Sequence, residues 1–199
     1  MQHVKKSPSN INYIFDISVC NCGDLKYAII FQINFGDIRF SNSNITNNKC
    51  SLLSSYYSIL EGKSGTCNFS TFIENSQTGS ESLCFDSYSD SLAQTVSYCN
   101  VIGNKCETDN NQVLFSCGYA TNVDHCIFLN NTAKYMFYIS SGYTLTISCS
   151  NVESKSTTGG TVTFFHLNTE NCPTGIKDIS NKLSYLSKIA KTSAAELIS

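Results

Sequence analysis

The sequence predicts an all-β solenoid, in which short strands wind into stacked coils. Three observations favour this fold: apolar segments recur at a nearly constant interval, a second apolar segment follows each of them, and the residues between them are turn formers. The 199 residues include 30 Ser and 21 Asn, whereas charged residues make up only 14%. Hydrophobic residues reach 41%, which is enough to bury a core.

The first repeated segment has the form small residue, any residue, large apolar residue, any two residues, Asn. The apolar anchors of its four full copies are Ile45, Phe72, Val101 and Phe128. The asparagines that end these copies are Asn48, Asn75, Asn104 and Asn131. A fifth copy, anchored by Val152, has Lys155 in place of Asn and follows the shortest interval between anchors. This spacing predicts five to six coils, each formed by roughly 24 to 29 residues, a period typical of repeat architectures.

The second apolar segments are rich in β-branched and aromatic residues, which favour strands. They cover residues 56–60, 83–85, 113–117, 136–139 and 161–165. A unit of two or three short strands cannot close a core alone, but parallel pairing with the equivalent strands of the next unit does close one. The sequence therefore predicts that like residues stack in columns from coil to coil.

Two such columns flank the predicted file of apolar anchors. In one, Cys99 and Cys126 stack with Ser43 and Ser70 at the small-residue position. The other consists of the four motif-ending asparagines. An Asn tolerates a left-handed bend, and its amide can bond both the backbone groups of the bend and the Asn of the next coil. The alternative is that these asparagines simply mark turns.

The eleven cysteines contain no C-x₂-C pair, because the closest two are Cys20 and Cys22. Zinc modules and thioredoxin-like sites therefore lose support. Two interpretations remain, namely a disulfide framework of an exported protein and a set of buried thiols that pack as small hydrophobes. The column that contains Cys99 and Cys126 favours buried thiols for several of them.

The motifs Cys99-x-Val101-x-x-Asn104 and Cys126-x-Phe128-x-x-Asn131, with their Ser-headed copies, resemble the right-handed parallel β-helix repeats of pectin-lyase-like proteins. The Asn- and Cys-rich composition resembles large surface-protein families of parasitic protists such as trichomonads, and the repeats of chlamydial polymorphic outer-membrane proteins. The resemblance covers residues 36–172. It implies right-handed coils, an extracellular or cell-surface location, and a role in adhesion or host contact.

The chain divides into three predicted segments: an irregular N-terminal coil or cap at 1–35, coils at 36–172, and a helical segment at 173–199. The helix is predicted from apolar residues at spacings of three and four, namely Ile176, Ile179, Leu183, Leu186 and Ile189. Such a helix would cover the open edge of the last coil, or would lead to a further domain. Asp16 interrupts the first apolar run, so no signal peptide is predicted, and no run approaches the length of a membrane span.

No catalytic, cofactor or metal site is predicted. Asp86 and Asp90 lie in a Ser-rich turn typical of a solvated loop, and alternation places His125, next to Asp124, on the outside. The net charge of −2 with a single arginine, Arg39, argues against nucleic acid as a partner. Two sequons, at Asn44 and Asn130, are predicted to carry glycans if the protein follows a secretory route.

The predicted function is that of a non-enzymatic β-helix scaffold that binds carbohydrate or a host or surface protein through its polar outer face. The alternative is a carbohydrate-active enzyme of the pectin-lyase-like type, either a polysaccharide lyase or a hydrolase. Convergence of three acids, or of an acid, a His and a Lys, in one groove would favour the enzyme. A third hypothesis is a truncated or non-functional member of an expanded family.

Overall fold

The computed structural model describes residues 11–23, 29–51, 53–62, 64–78, 81–87, 93–106 and 112–168, and no helix occurs in these ranges. The strands of the first half are β1 (Ile11–Phe15), β2 (Ser18–Cys20), β3 (Gln32–Asn34), β4 (Asp37–Ser41), β5 (Asn44–Thr46), β6 (Lys49–Cys50), β7 (Leu53–Leu60), β8 (Ser64–Asn68), β9 (Thr71–Ile73) and β10 (Ser76–Gln77). Those of the second half are β11 (Glu81–Ser87), β12 (Ala93–Ser97), β13 (Asn100–Ile102), β14 (Lys105–Cys106), β15 (Val113–Cys117), β16 (Thr121–Asp124), β17 (Ile127–Leu129), β18 (Tyr135–Ser148), β19 (Asn151–Val152) and β20 (Thr157–Phe165).

The strands form a parallel β-solenoid, which confirms the predicted fold class. Among the described strands, four coils are complete: β4 to β7, β8 to β11, β12 to β15, and β16 through β17 and the bridge at Thr132 into β18. Partial coils lie at both ends, formed by β1 to β3 and by the end of β18 with β19 and β20. The predicted count of five to six coils therefore includes two that are incomplete.

Strand pairing is parallel throughout the described coils, and its register shifts at two places, between Glu81 and Leu83 where β11 pairs with β7 and between Ile139 and Thr144 where β18 pairs with β20. The six-stranded sheet runs β2-β5-β9-β13-β17-β19. The two longer faces of the solenoid join into one eleven-stranded sheet because β18 belongs to both. Its first half pairs with β15 and its second half with β16. Between the halves, Gly142 has a φ of 89°, a conformation that suits a residue without Cβ.

The predicted inner file is present. The backbone register aligns Ile45 with Phe72, Phe72 with Val101, and Val101 with Phe128. Each of these four side chains is at most 3% exposed. Aromatic rings from the opposite face pack against the file, and the ring centroid of Tyr56 lies 5.8 Å from that of Phe72. The core is therefore a continuous apolar column along the solenoid axis.

The described residues of the predicted N-terminal segment include stacked strands. Within residues 1–35, predicted as an irregular coil or cap, β1 and β2 pair in register with β4 and β5 and so continue the stacking. The helix predicted within 173–199 lies outside the described residues. In the part of the chain that the structure describes, no helix is long and apolar enough to cross a membrane.

Candidate functional site

The motif-ending asparagines form a hydrogen-bonded ladder. Asn48, Asn75 and Asn104 are fully buried. Each donates its backbone N–H and one Nδ2 hydrogen to the Oδ1 of the Asn in the next coil, at distances between 2.9 and 3.1 Å. Nδ2 also donates to the carbonyl of an apolar anchor one coil back, as from Asn75 to Ile45 at 2.9 Å. The ladder thus supplies partners to buried backbone groups that no strand pairs.

The sequence predicts a left-handed conformation at the ladder asparagine itself, but the left-handed residue of each bend is the residue before it. These preceding residues are Asn47, Glu74, Gly103 and Asn130, with φ between 53° and 67°. A left-handed residue turns the chain sharply, so the side chain that follows points into the solenoid. The interior position of the amide therefore depends on its neighbour, and that expectation was wrong.

The ladder ends at a cavity. Asn131, its last member, is only half-buried. In the next coil, Lys155 holds the aligned position, but its ammonium lies over the ring of Phe164, 5.6 Å from the centroid. Beyond Asn131 there is an open cavity of about 510 Å³. Its lining consists of Phe128, Asn130, Asn131, Thr132, Ala133, Met136, Glu153 and Ser154.

The Ser and Cys column supports the preceding bend. The backbone N–H of Ser43 donates to Ser70 Oγ at 3.2 Å, that of Cys99 to Cys126 Sγ at 3.4 Å, and that of Cys126 to Ser150 Oγ at 3.0 Å. The Sγ atoms of Cys67 and Cys99 are 3.9 Å apart, well beyond the roughly 2.05 Å of a disulfide. These cysteines therefore pack as buried thiols.

Burial also keeps other core thiols neutral. It raises the pKa of Cys106 and of Cys117 to about 12. The thiolate is the nucleophile and the metal ligand, so these two side chains are inert near neutral pH. Among the described residues, no group of three or more His, Cys, Asp or Glu side chains is arranged to hold a metal ion.

Three rings, Phe69, Tyr98 and His125, stack along the outer corner of three successive coils and are called here the outer aromatic stack. The ring centroids of Phe69 and Tyr98 are 5.1 Å apart at an interplanar angle of 9°, and those of Tyr98 and His125 are 4.9 Å apart at 22°. All three residues are left-handed, with φ between 48° and 53°. Phe69 is 58% exposed and Tyr98 is 37% exposed.

Sequence reasoning missed this stack, although a signal was present. The intervals between successive rings of the stack equal those that separate the anchors Phe72, Val101 and Phe128. Each ring therefore stands at the same position of the repeat, shortly before an anchor. The alternation of inward and outward side chains along a single strand does not predict the stack, because the left-handed bend interrupts the strand between ring and anchor.

His125 is half-buried and is held by Asp124. Its Nδ1 is 2.5 Å from Asp124 Oδ2, and Ser148 Oγ donates to Asp124 Oδ1 at 2.7 Å. This carboxylate orients the imidazole, as one does in acid–base sites. A second close contact between an acidic and a basic side chain on the outer face is the ion pair of Arg39 with Asp37, at 3.6 Å. Arg39 also donates to Ser64, so the pair fastens neighbouring coils together.

The predicted glycosylation sites lie on the surface. Asn44 and Asn130 are both exposed, whereas Asn68, the third sequon asparagine, is half-buried. Asn130 stands at the rim of the cavity that ends the ladder. Glycans at Asn44 and Asn130 remain a prediction.

Comparison of the chain with models of known families, with curated proteins and with solved structures gives no match. The parallel solenoid therefore stands on the structure alone. The resemblance to pectin-lyase-like and protist surface proteins remains an expectation.

Proposed function

We propose that the protein is a non-enzymatic binding scaffold at the cell surface or outside the cell, and that its outer aromatic stack binds carbohydrate. The observation that carries this proposal is the exposure of Phe69 and Tyr98 on left-handed backbone. Such a conformation costs a bulky residue on the order of 1–3 kcal/mol. Exposed rings gain too little free energy from burial to offset the cost of this conformation. Their presence at these positions therefore points to a role in binding.

Phe69 provides an uncovered ring face. It ends the outer aromatic stack, with Tyr98 on one side and, among the described residues, no ring on the other. The next residue of the column on that open side is Asn42, which is exposed. An apolar ring face beside an amide suits a sugar, since a sugar presents C–H groups on one face and hydroxyls around its edge.

The sheet face beside the stack adds a regular polar surface. In-register pairing aligns one outward column of hydroxyl and amide side chains, namely Thr66, Thr95, Asn122, Thr146 and Thr163. Adjacent strands are about 4.8 Å apart, so the column presents polar groups at a fixed interval. A rigid array loses little conformational entropy on binding, which favours an extended polymer as the ligand.

One observation favours the enzymatic alternative, a carbohydrate-active enzyme. The contact between Asp124 and His125 resembles the orienting pair of a general base. Glycoside hydrolysis uses two carboxyl groups about 5–10 Å apart, one on each side of the scissile bond. The bonds from Ser148 and His125 occupy both oxygens of Asp124, which favours an orienting role for that carboxylate.

A glycan array probed with the purified protein tests the scaffold proposal. We expect Phe69→Ala to lower affinity for the bound glycans about tenfold or more, because the stacking face is lost. Phe165→Ala is the matched control, since Phe165 is also an exposed ring, at 52%, but lies two coils beyond His125 and outside the outer aromatic stack. Absence of binding to any glycan, or equal binding by Phe69→Ala and the native chain, would contradict the proposal.

The same glycans separate scaffold from enzyme. A scaffold leaves the bound oligosaccharides intact during prolonged incubation. Release of new reducing ends or unsaturated products that Asp124→Asn abolishes would establish the enzymatic alternative instead.

A further inference from the structure

We infer that the open end of the asparagine ladder is a binding site for a primary carboxamide, carried by an asparagine side chain of a peptide. The site comprises Asn131, the carbonyl of Phe128 and the cavity of about 510 Å³ beyond them. It lies at a different corner of the coil from the outer aromatic stack and does not depend on the proposed function. At each lower rung, the Oδ1 of one asparagine accepts two hydrogen bonds from the asparagine before it, and the proposed ligand would make the same contact.

At three rungs, a backbone N–H and an Nδ2–H of one asparagine together bind the Oδ1 of the next. The two distances are 3.1 and 3.0 Å from Asn48, 3.1 and 2.9 Å from Asn75, and 3.0 and 3.1 Å from Asn104. This pair of donors is therefore a preformed receptor for a carboxamide oxygen. The same geometry is repeated at three rungs, so it is compatible with the backbone of each of these coils.

At Asn131, no acceptor among the described residues meets the same pair of donors. The Nδ2 of Asn131 donates to the carbonyl of Val101 at 2.8 Å, and one Nδ2 hydrogen is left over. Within the described part of the chain, no acceptor lies within hydrogen-bond distance of that hydrogen or of the Asn131 backbone N–H. Lys155, which holds the next position of the column, is turned toward Phe164. Both donors therefore lie at the cavity.

The cavity also offers an acceptor for the N–H groups of a carboxamide. In the lower rungs, the bound asparagine returns a hydrogen bond to the anchor carbonyl, as Asn104 does to Phe72 at 2.9 Å. The equivalent carbonyl at the open rung belongs to Phe128, which lines the cavity. It accepts the backbone N–H of Glu153 at 3.2 Å, and its second lone pair is available to a carboxamide. A carboxamide satisfies donors and acceptor together, whereas a carboxylate only accepts.

A peptide can extend the contact beyond its side chain. In each lower rung, the ladder carbonyl accepts a backbone N–H from the next coil, as Asn104 does from Thr132 at 2.9 Å. The carbonyl of Asn131 has no such donor among the described residues. The apolar side chains of Phe128, Ala133 and Met136 line the same cavity and can cover the methylene group of the ligand. An asparagine followed by a further residue therefore fits the open rung.

Nuclear magnetic resonance titration of the ¹⁵N-labelled protein with N-acetyl-asparagine N-methylamide tests the inference. We expect saturable shifts of the Asn131 backbone and side-chain amide signals. The matching aspartate compound should bind about tenfold more weakly or worse, because it cannot donate to Phe128 and its charge meets Glu153. Equal shifts with both compounds, or no shift at Asn131, would overturn the inference. Either result would mean that water alone binds the open end of the asparagine ladder.

Variants locate the site. Asn131→Asp removes the Nδ2 donors but keeps an oxygen for Asn104, and it should weaken binding about tenfold or more. Asn122→Asp, on the exposed outer face, is the matched control and should bind as the native chain does. Ala133→Phe fills the cavity without altering the ladder, so it should also abolish binding. Native affinity in Ala133→Phe would refute the site, and Phe69→Ala should leave the titration unchanged whatever becomes of the carbohydrate proposal.

Discussion

Replacing Asn104 with Leu is expected to lower the free energy of unfolding by about 3–5 kcal/mol, because it leaves several buried polar groups without partners. Asn104 Oδ1 accepts the backbone N–H and the Nδ2–H of Asn75, and Asn104 Nδ2 donates to the carbonyl of Phe72 and to Asn131. A leucine of similar volume makes none of these bonds. Equilibrium urea denaturation measures the difference.

The control for this substitution is Asn122→Leu, which makes the same chemical change at an exposed outward position of β16. Surface substitutions of this kind usually change stability by about 0.5 kcal/mol or less. If the asparagines form a buried hydrogen-bonded ladder, the free energies of unfolding of the two variants differ by several kcal/mol, on the order of the loss expected for Asn104→Leu. Equal stabilities would mean that the asparagines act only as turn residues.

Replacing Phe72 with Ala is expected to cost about 3–5 kcal/mol, the usual range for a phenylalanine lost from a packed core. Phe72 is fully buried and lies within 6.3 Å, between ring centroids, of both Phe40 and Tyr56. Removal of its ring opens a void along the axis, in contact with the coils above and below. Thermal and urea denaturation of the same preparation measure the loss.

Phe69→Ala is the matched control, because Phe69 lies just before Phe72 in the same coil but is 58% exposed. We expect its stability to stay within about 1 kcal/mol of the native chain. A small effect at position 72, or a large one at position 69, would contradict the orientation of the coil. The same measurement establishes that Phe69→Ala is folded when it is used on the glycan array.

The sequence predicts the inner file well because two independent regularities coincide there. The nearly constant repeat interval aligns Ile45, Phe72, Val101 and Phe128 along the axis, and the small residue before each anchor and the Asn after it fix the same register. In a parallel in-register sheet, equal position in the repeat means equal position in space. The fold class and the columns follow from that rule.

The outer aromatic stack is harder to predict because its residues adopt a left-handed backbone conformation that aromatic residues disfavour. Bulky residues such as Phe69 and Tyr98 rarely adopt positive φ, so local propensity places them in strands. The bend is imposed by the coils on either side, where the backbone N–H of Phe69 donates to Ser97 of the next coil at 3.1 Å. Only a comparison at the repeat interval, position against position, shows these rings as a column.

The carboxamide site at Asn131 depends on a departure from the repeat. Lys155 in place of Asn, and the shortened interval before Val152, mark the coil in which the ladder stops. The sequence does not show where the lysine side chain goes. Its position over Phe164, and the cavity beside Asn131, follow from the path of the chain after β19.

The most direct test of the stacked coils is a nuclear Overhauser experiment on protein labelled at Ile and Val methyl groups and at Phe rings. In-register stacking at about 4.8 Å per coil predicts contacts from the Phe72 ring to the methyls of both Ile45 and Val101. It predicts no contact between Ile45 and Val101 themselves, because they lie two coils apart at about 10 Å. A direct contact between Ile45 and Val101, or the absence of either contact to Phe72, would contradict the solenoid.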